Sequence, residues 1–153
     1  MAEFVDKICQ DAESTRRLGE RLAGGLYPGA VIALKGPLGA GKTTFTQGLV
    51  RGLGGHEPVT SPTFVLMHIY EQGRLPVFHF DAYRLEGPQQ LEEIGADEYF
   101  WGDGVSVVEW AERAGQLLPP DHLEIDFELL PQGRRARLQP HGERSRSLLE
   151  SCR

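Results

Sequence analysis

Two cysteines, three lysines and no long apolar run are the first constraints set by this 153-residue sequence. Cys9 and Cys152 stand near opposite ends and read as unrelated thiols of a reducing compartment rather than a redox pair. With no stretch of membrane-spanning length, no membrane contact is expected. The opening Met1-Ala2-Glu3-Phe4-Val5-Asp6-Lys7 is acidic where a secretory signal would be basic and then apolar, so the cytoplasm is the expected location. Internal repeats and low-complexity segments are also missing. What is there, 40% apolar and 25% charged residues with 19 Gly and 10 Pro, fits a single loop-rich globular domain over residues 1–153.

Basic residues are scarce until the end. Residues 1–132 carry ten Lys and Arg against twenty Asp and Glu, whereas Gly133 to Arg153 holds six Arg against two Glu. The stretch from about residue 140 is therefore a basic, flexible-tail candidate. Contact with RNA, an acidic partner surface or a nucleotide, or simply a solvated end, are its open readings.

The order of elements follows from periodicity. Leu18, Leu22 and Leu26 at four-residue spacing behind Asp11 predict a helix over 11–26. Ala30 to Lys35 is a short apolar run suited to a strand buried on both faces. Thr43 to Leu53 predicts a second helix, stopped by Gly54-Gly55. Phe64–Tyr70 and Pro76–Phe80 predict strands around a turn at Gln72-Gly73. Pro88 to Phe100 predicts a helix, Val105–Val108 a buried strand, and Trp110 to Leu118 another helix. Leu123, Ile125, Phe127 and Leu129 alternate with acidic residues, which predicts a half-exposed strand paired with Arg135–Leu138 across Pro131-Gln132-Gly133. The fold class expected is a three-layer α/β sandwich with a mixed, mainly parallel sheet and antiparallel hairpins.

Between the first buried strand and the second helix lies Gly36-Pro37-Leu38-Gly39-Ala40-Gly41-Lys42-Thr43, a match to G-x-x-x-x-G-K-[ST] in the strand-to-helix setting that a P-loop needs. Glycines let the backbone wrap closely round an anion, with successive N–H groups turned inward and the positive helix end added. Lys42 reaches the β- and γ-phosphates and the Thr43 hydroxyl serves as a Mg²⁺ ligand. The nucleotide-binding set expected here is Gly36, Leu38, Gly39, Ala40, Gly41, Lys42, Thr43 and Thr44, with a nucleoside triphosphate and Mg²⁺ as ligands; the loop does not read the base.

An acid near the metal is also required, and two strands end in one: Asp81 and Glu109. Either could hold Mg²⁺ while the other orients the attacking water, or one could be a plain strand-end carboxylate; the residues alone leave this open. Lys42, Asp81 and Glu109 form the catalytic set. Thr60-Ser61-Pro62-Thr63 supplies hydroxyls of the kind that sense a γ-phosphate in P-loop switches, with a Ser-Pro turn as the plain alternative. The five histidines show no spacing suited to metal binding, and His79 reads as packed in or beside its strand.

Taken together, Leu38 to Phe45, Ser61-Pro62-Thr63-Phe64, His79-Phe80-Asp81-Ala82-Tyr83-Arg84-Leu85 and Val108-Glu109-Trp110 resemble the TsaE family, also called YjeE. The resemblance runs from about Asp11 to Leu138. It implies an ATPase needed to make threonylcarbamoyladenosine in tRNA, working with TsaB and TsaD and meeting tRNA only through that assembly. It implies that hydrolysis, weak in the isolated subunit, resets the complex. By the same resemblance Thr43 and Glu109 are the Mg²⁺ ligands, Asp81 acts in hydrolysis, Ser61 and Thr63 lie in a switch-like loop, and Thr15, Gly133 and Arg134 contact the nucleotide. Pro37 and Ala82 depart from the family pattern, which carries an acidic and a bulkier apolar residue there. The rival readings are a small-molecule P-loop kinase, for which Arg84 and Arg113 could be recruited, and a non-catalytic nucleotide-binding regulatory subunit.

Overall fold

The computed structural model describes residues 3–37, 39–60, 67–83 and 88–153. Among them, seven strands form one sheet: β1 Val5–Cys9, β2 Val31–Lys35, β3 Met67–Tyr70, β4 Val77–Asp81, β5 Val105–Glu109, β6 His122–Leu129 and β7 Arg134–His141. Their spatial order is β1-β7-β6-β2-β5-β4-β3. The four central strands β6, β2, β5 and β4 are parallel, while β1, β7 and β3 pair antiparallel at the flanks. This is the mixed α/β sandwich that the alternating elements predict.

Strand β2 shows why its run is apolar throughout. Ile32 and Leu34 enter one core and Val31 and Ala33 the other, all at most 2% exposed. The first core lies under α1 (Ala12–Ala23) and α2 (Lys42–Gly52), and the second under α3 (Gln89–Glu93) and α4 (Ala96–Phe100). Asp11 caps α1 by accepting the Ser14 N–H at 2.8 Å, one of the donors that a helix start leaves unpaired.

Helices α1 and α2 approach each other unusually closely because glycines face each other across the contact. A Cβ on Gly48 would lie 1.9 Å from the Arg16 carbonyl oxygen, and one on Gly19 would lie 2.3 Å from that of Phe45. The approach sets Thr15 against Gly41, at the end of the glycine loop, where an added Cβ would lie 3.4 Å from the Thr15 methyl.

Three local expectations give way to tertiary context. The helix expected over 88–100 is broken into α3 and α4 at Gly95, whose φ of 78° lies outside helical space. From 110 to 118 there are only two 3₁₀ turns, Ala111–Arg113 and Gly115–Leu117, because Trp110 and Gly115 adopt positive φ. Strand β1, unmarked by any apolar run, exists through pairing with β7. Of the strand expected over 64–70, residues 67–70 are observed and 64–66 lie outside the described residues.

The arginine-rich end is folded rather than frayed. Helix α5 (Glu143–Arg146) and a 3₁₀ segment, Ser147–Cys152, bury Leu148, Leu149 and Cys152 in the first core. Arg134 bonds the Gly39 carbonyl, Arg135 pairs with Glu128, Arg137 with Asp6, Arg144 bonds the Pro28 carbonyl, and Arg146 and Arg153 both reach Glu3. Both cysteines are buried, free thiols. Asp121 starts this segment by accepting N–H bonds from Arg144 and Ser145 at 2.9 and 3.0 Å. No described helix is long and apolar enough to cross a membrane.

Gly48→Ala is expected to destabilise the fold by about 1–3 kcal/mol, since the methyl meets backbone rather than a movable side chain. Thermal denaturation should fall by roughly 2–4 °C per kcal/mol lost. A second expectation concerns acid. Burial alone would raise the Asp121 pKa, but the Ser145 and Arg144 hydrogen bonds outweigh it and hold the carboxyl below its ordinary value. Its contribution is therefore present at neutral pH and is lost as pH falls through that lowered value. Asp121→Ala should cost about 1 kcal/mol at pH 7 and much less in strong acid, as denaturant titrations at the two pH values would show.

Candidate functional site

At the carboxyl ends of β2, β4 and β5, the parallel register sets the main groups side by side. Asp81 and Glu109 are direct neighbours across β4 and β5, and β2 leads into the glycine loop. That is the end of a parallel sheet where ligands are generally bound.

The loop owes its path to glycine. Gly36, Gly39 and Gly41 have φ of 135°, 78° and 112°, and a Cβ on Gly36 would lie 2.6 Å from the Phe127 carbonyl oxygen. Helix α2 starts at Lys42 behind Gly41, which offers no side-chain cap, so among the described residues its first turn has no capping side chain. Lys42 is 5% exposed. Its Nζ donates to the Gly36 and Pro37 carbonyls at 2.6 and 3.0 Å and sits 3.9 Å from the centre of the Trp110 ring. Burial pushes the Lys42 pKa down, with Glu109, Glu112 and Asp81 pulling it back up.

Thr43 and Glu109 meet directly. The Thr43 hydroxyl lies 3.1 Å from each Glu109 carboxylate oxygen, and Glu109 is 3% exposed. This is a pair of hard oxygen donors at the first turn of α2, a set that suits Mg²⁺. Glu109 also bonds His79 Nε2. A carboxylate only accepts, so His79 donates from Nε2 and its Nδ1 faces the Tyr70 hydroxyl at 3.3 Å. That hydroxyl in turn lies 3.4 Å from the Thr60 carbonyl oxygen. A polar chain with a buried middle thus runs from Thr43 through Glu109, His79 and Tyr70 to the residue preceding Ser61.

Asp81 is buried at the end of β4, its Oδ1 accepting the Tyr83 N–H at 2.8 Å. On the far side of the loop, Thr15, Thr44, Gly133 and Arg134 line a cavity of about 150 Å³ with Cys9, Gln10, Asp11 and Ala12. The geometry thus gathers Gly36, Gly39, Ala40, Gly41, Lys42, Thr43, Asp81 and Glu109 at one sheet end, with Thr15, Thr44, Gly133 and Arg134 beside them. Leu38, Ser61, Thr63 and Arg84 lie outside the described residues. Arg113 is committed to the Tyr83 carbonyl at 2.6 Å.

Two residues in this cluster escaped sequence reasoning. His79 reads as core by its strand position, and only the strand order places it against Glu109. Trp110 is the only non-glycine described residue with positive φ, at 57°. Its position directly after Glu109 was the available signal, since a turn there must aim its ring back across the strand end.

Residues 9–137 match the family described as Threonylcarbamoyl adenosine biosynthesis protein TsaE. The chain belongs to the TsaE family. It is 46% identical over 113 residues to the tRNA threonylcarbamoyladenosine biosynthesis protein TsaE of Bacillus subtilis, covering 74% of this chain and 70% of that protein. To the protein of the same name from Treponema pallidum it is 42% identical over 128 residues, 84% of this chain and 94% of that one. The crystal structure of Bacillus subtilis YdiB superposes with a TM-score of 0.87 at 35% identity, covering 99% of this chain and 95% of the other. The family's place is thus tRNA threonylcarbamoyladenosine biosynthesis, and the fold is shared over almost the whole chain.

Replacing His79 by Phe should cost about 3–5 kcal/mol by leaving the buried Glu109 carboxylate short of a partner. Adding Glu109→Gln removes that charge and should recover part of the loss. Denaturant unfolding of the single and double variants measures the coupling, and strictly additive effects would rule out the pairing.

Proposed function

We propose that this chain is the Mg²⁺-dependent ATPase subunit of the assembly that makes threonylcarbamoyladenosine in tRNA, acting with proteins of the TsaB and TsaD type. The observation that carries the reading is the Thr43–Glu109 contact beside Lys42, at the uncapped start of a helix that follows a glycine loop. The cytoplasm is its proposed location, and tRNA is met only through the complex.

In this reading the loop N–H groups and the first turn of α2 cradle the phosphates of ATP, and Lys42 exchanges the Gly36 and Pro37 carbonyls for phosphate oxygens. Trp110 backs the ammonium, so Lys42 stays at the loop when it turns. Thr43 and Glu109 would hold Mg²⁺, which would supply neutralisation of phosphate charge when bound. Asp81, set beside Glu109 by the β4–β5 register, orients the attacking water. Water adds to the γ-phosphorus, the bond to the β-phosphate oxygen breaks, and ADP and phosphate leave. Thr15, Thr44, Gly133 and Arg134 receive the nucleoside end in the neighbouring cavity.

The switch role falls to Ser61 and Thr63. Glu109 connects to Thr60 through His79 and Tyr70, which supports a link between the metal ligands and that segment. ATP orders the partner-docking surface; hydrolysis loosens it and resets the assembly.

Phosphate release from ATP, followed for the protein alone and with TsaB- and TsaD-type partners, tests this. Slow release alone, strong stimulation by the partners and loss of both in Lys42→Ala are expected. Nucleotide binding without release under either condition would make the chain a non-catalytic nucleotide-binding subunit instead.

A further inference from the structure

His122 and His141 are 19 residues apart in sequence and show no metal-binding spacing, yet β6 and β7 pair them directly across the sheet. Their rings stack with centres 4.7 Å apart and planes 21° apart. Glu124, two residues further along β6 and therefore on the same face, places a carboxylate oxygen 3.3 Å from His141 Nε2. One ligand atom from each of the three residues can be chosen so that all lie within 4.8 Å of one another. Nitrogen and oxygen ligands around a tetrahedral zinc ion stand about 3.3 Å apart at the usual ~2.0 Å bond lengths, so the set closes when the atoms draw in and the stacked rings turn to aim their in-plane lone pairs at one point.

A second feature points the same way. His122 Nδ1 lies 2.8 Å from the Pro119 carbonyl oxygen. A carbonyl only accepts, so Nδ1 carries the proton and Nε2 presents its lone pair. Metal-ligating histidines are typically held in this fashion, the second ring N–H donating to a backbone carbonyl. Burial, with His141 alongside, pushes the His122 pKa down and favours the uncharged ring. The sequence reading, which found no histidine spacing for a metal, could not see a pairing made by strand register.

We propose that His122, Glu124 and His141 form a binding site for a transition-metal dication of the zinc class, separate from the Thr43–Glu109 pair. Two imidazoles and one carboxylate suit Zn²⁺, with Cu²⁺ and Ni²⁺ as stronger or comparable competitors by general affinity order. His141 is 40% exposed, so the fourth position opens to solvent. Lys35 is the resident competitor: its Nζ holds Glu124 Oε1 at 3.1 Å and contends with an entering cation for that oxygen.

Zn²⁺ titration of the whole protein, followed calorimetrically with Mg²⁺ in large excess to occupy other oxygen sites, tests the proposal. One equivalent should bind at micromolar zinc. His141→Asn should weaken that binding about tenfold or more, His56→Asn should leave it unchanged, and Lys35→Met should tighten it. Co²⁺ in place of zinc should give visible d–d absorption without the thiolate charge-transfer band that Cys9 or Cys152 would add. His141 is exposed enough for its variant to keep the far-ultraviolet dichroism of the parent. No uptake at micromolar zinc, or uptake that His141→Asn does not weaken, overturns the site.

Discussion

A carboxylate with 3% of its surface exposed has to be compensated from every side, and Glu109 sets that demand at the centre of this protein. A buried charge of this kind is strongly unfavourable unless donors reach it. Three side chains from two elements supply them or offset the charge. Helix α2 brings the Thr43 hydroxyl, β4 brings His79, and the Lys42 ammonium lies close enough to feel its field. The parallel order of β2, β5 and β4 is what allows all three to converge: β2 leads into the loop before α2, and β4 lies beside β5 with His79 two residues before its end.

The helix layer answers to the same edge. Because Gly19 and Gly48 let α1 lie against the backbone of α2, Thr15 is drawn beside Gly41, and the capped start of α1 becomes one wall of the neighbouring cavity. Arg134 closes that wall from the β6–β7 turn by reaching the Gly39 carbonyl at 3.2 Å. The arginine-rich end, which composition alone offers as a cationic surface, spends its charges on Asp6, Glu3 and Glu128 and on backbone carbonyls. Its role in the fold is to brace α1, where Arg21 bonds the carbonyls of Cys152 and Arg153.

Much of this was legible in the sequence because it rests on local rules. The apolar run of β2, the glycine loop, and the alternation of Leu123, Ile125 and Phe127 each announce an element through its own period. The helix breaks at Gly95 and Trp110 were not legible, since both depend on backbone angles imposed by packing. Strand β1 shows no strand period of its own until β7 offers it hydrogen bonds. In the site, Lys42, Thr43, Asp81 and Glu109 follow from a motif and from strand ends, whereas His79 and the His122–His141 pair depend on which strand lies beside which. Register is a tertiary property, and side-chain spacing along one chain carries no trace of it.

Trp110 is held at a left-handed backbone angle with its indole under the Lys42 ammonium and 4.8 Å from the Tyr83 ring. The other tryptophan, Trp101, is 70% exposed. The two chromophores therefore stand in different optical environments: one is largely in water, the other is half-buried against the Lys42 ammonium. Any event that moves that charge changes the electric field across one indole and leaves the other alone. The protein thus carries its own internal voltmeter at the glycine loop, readable as a change in emission without any attached label.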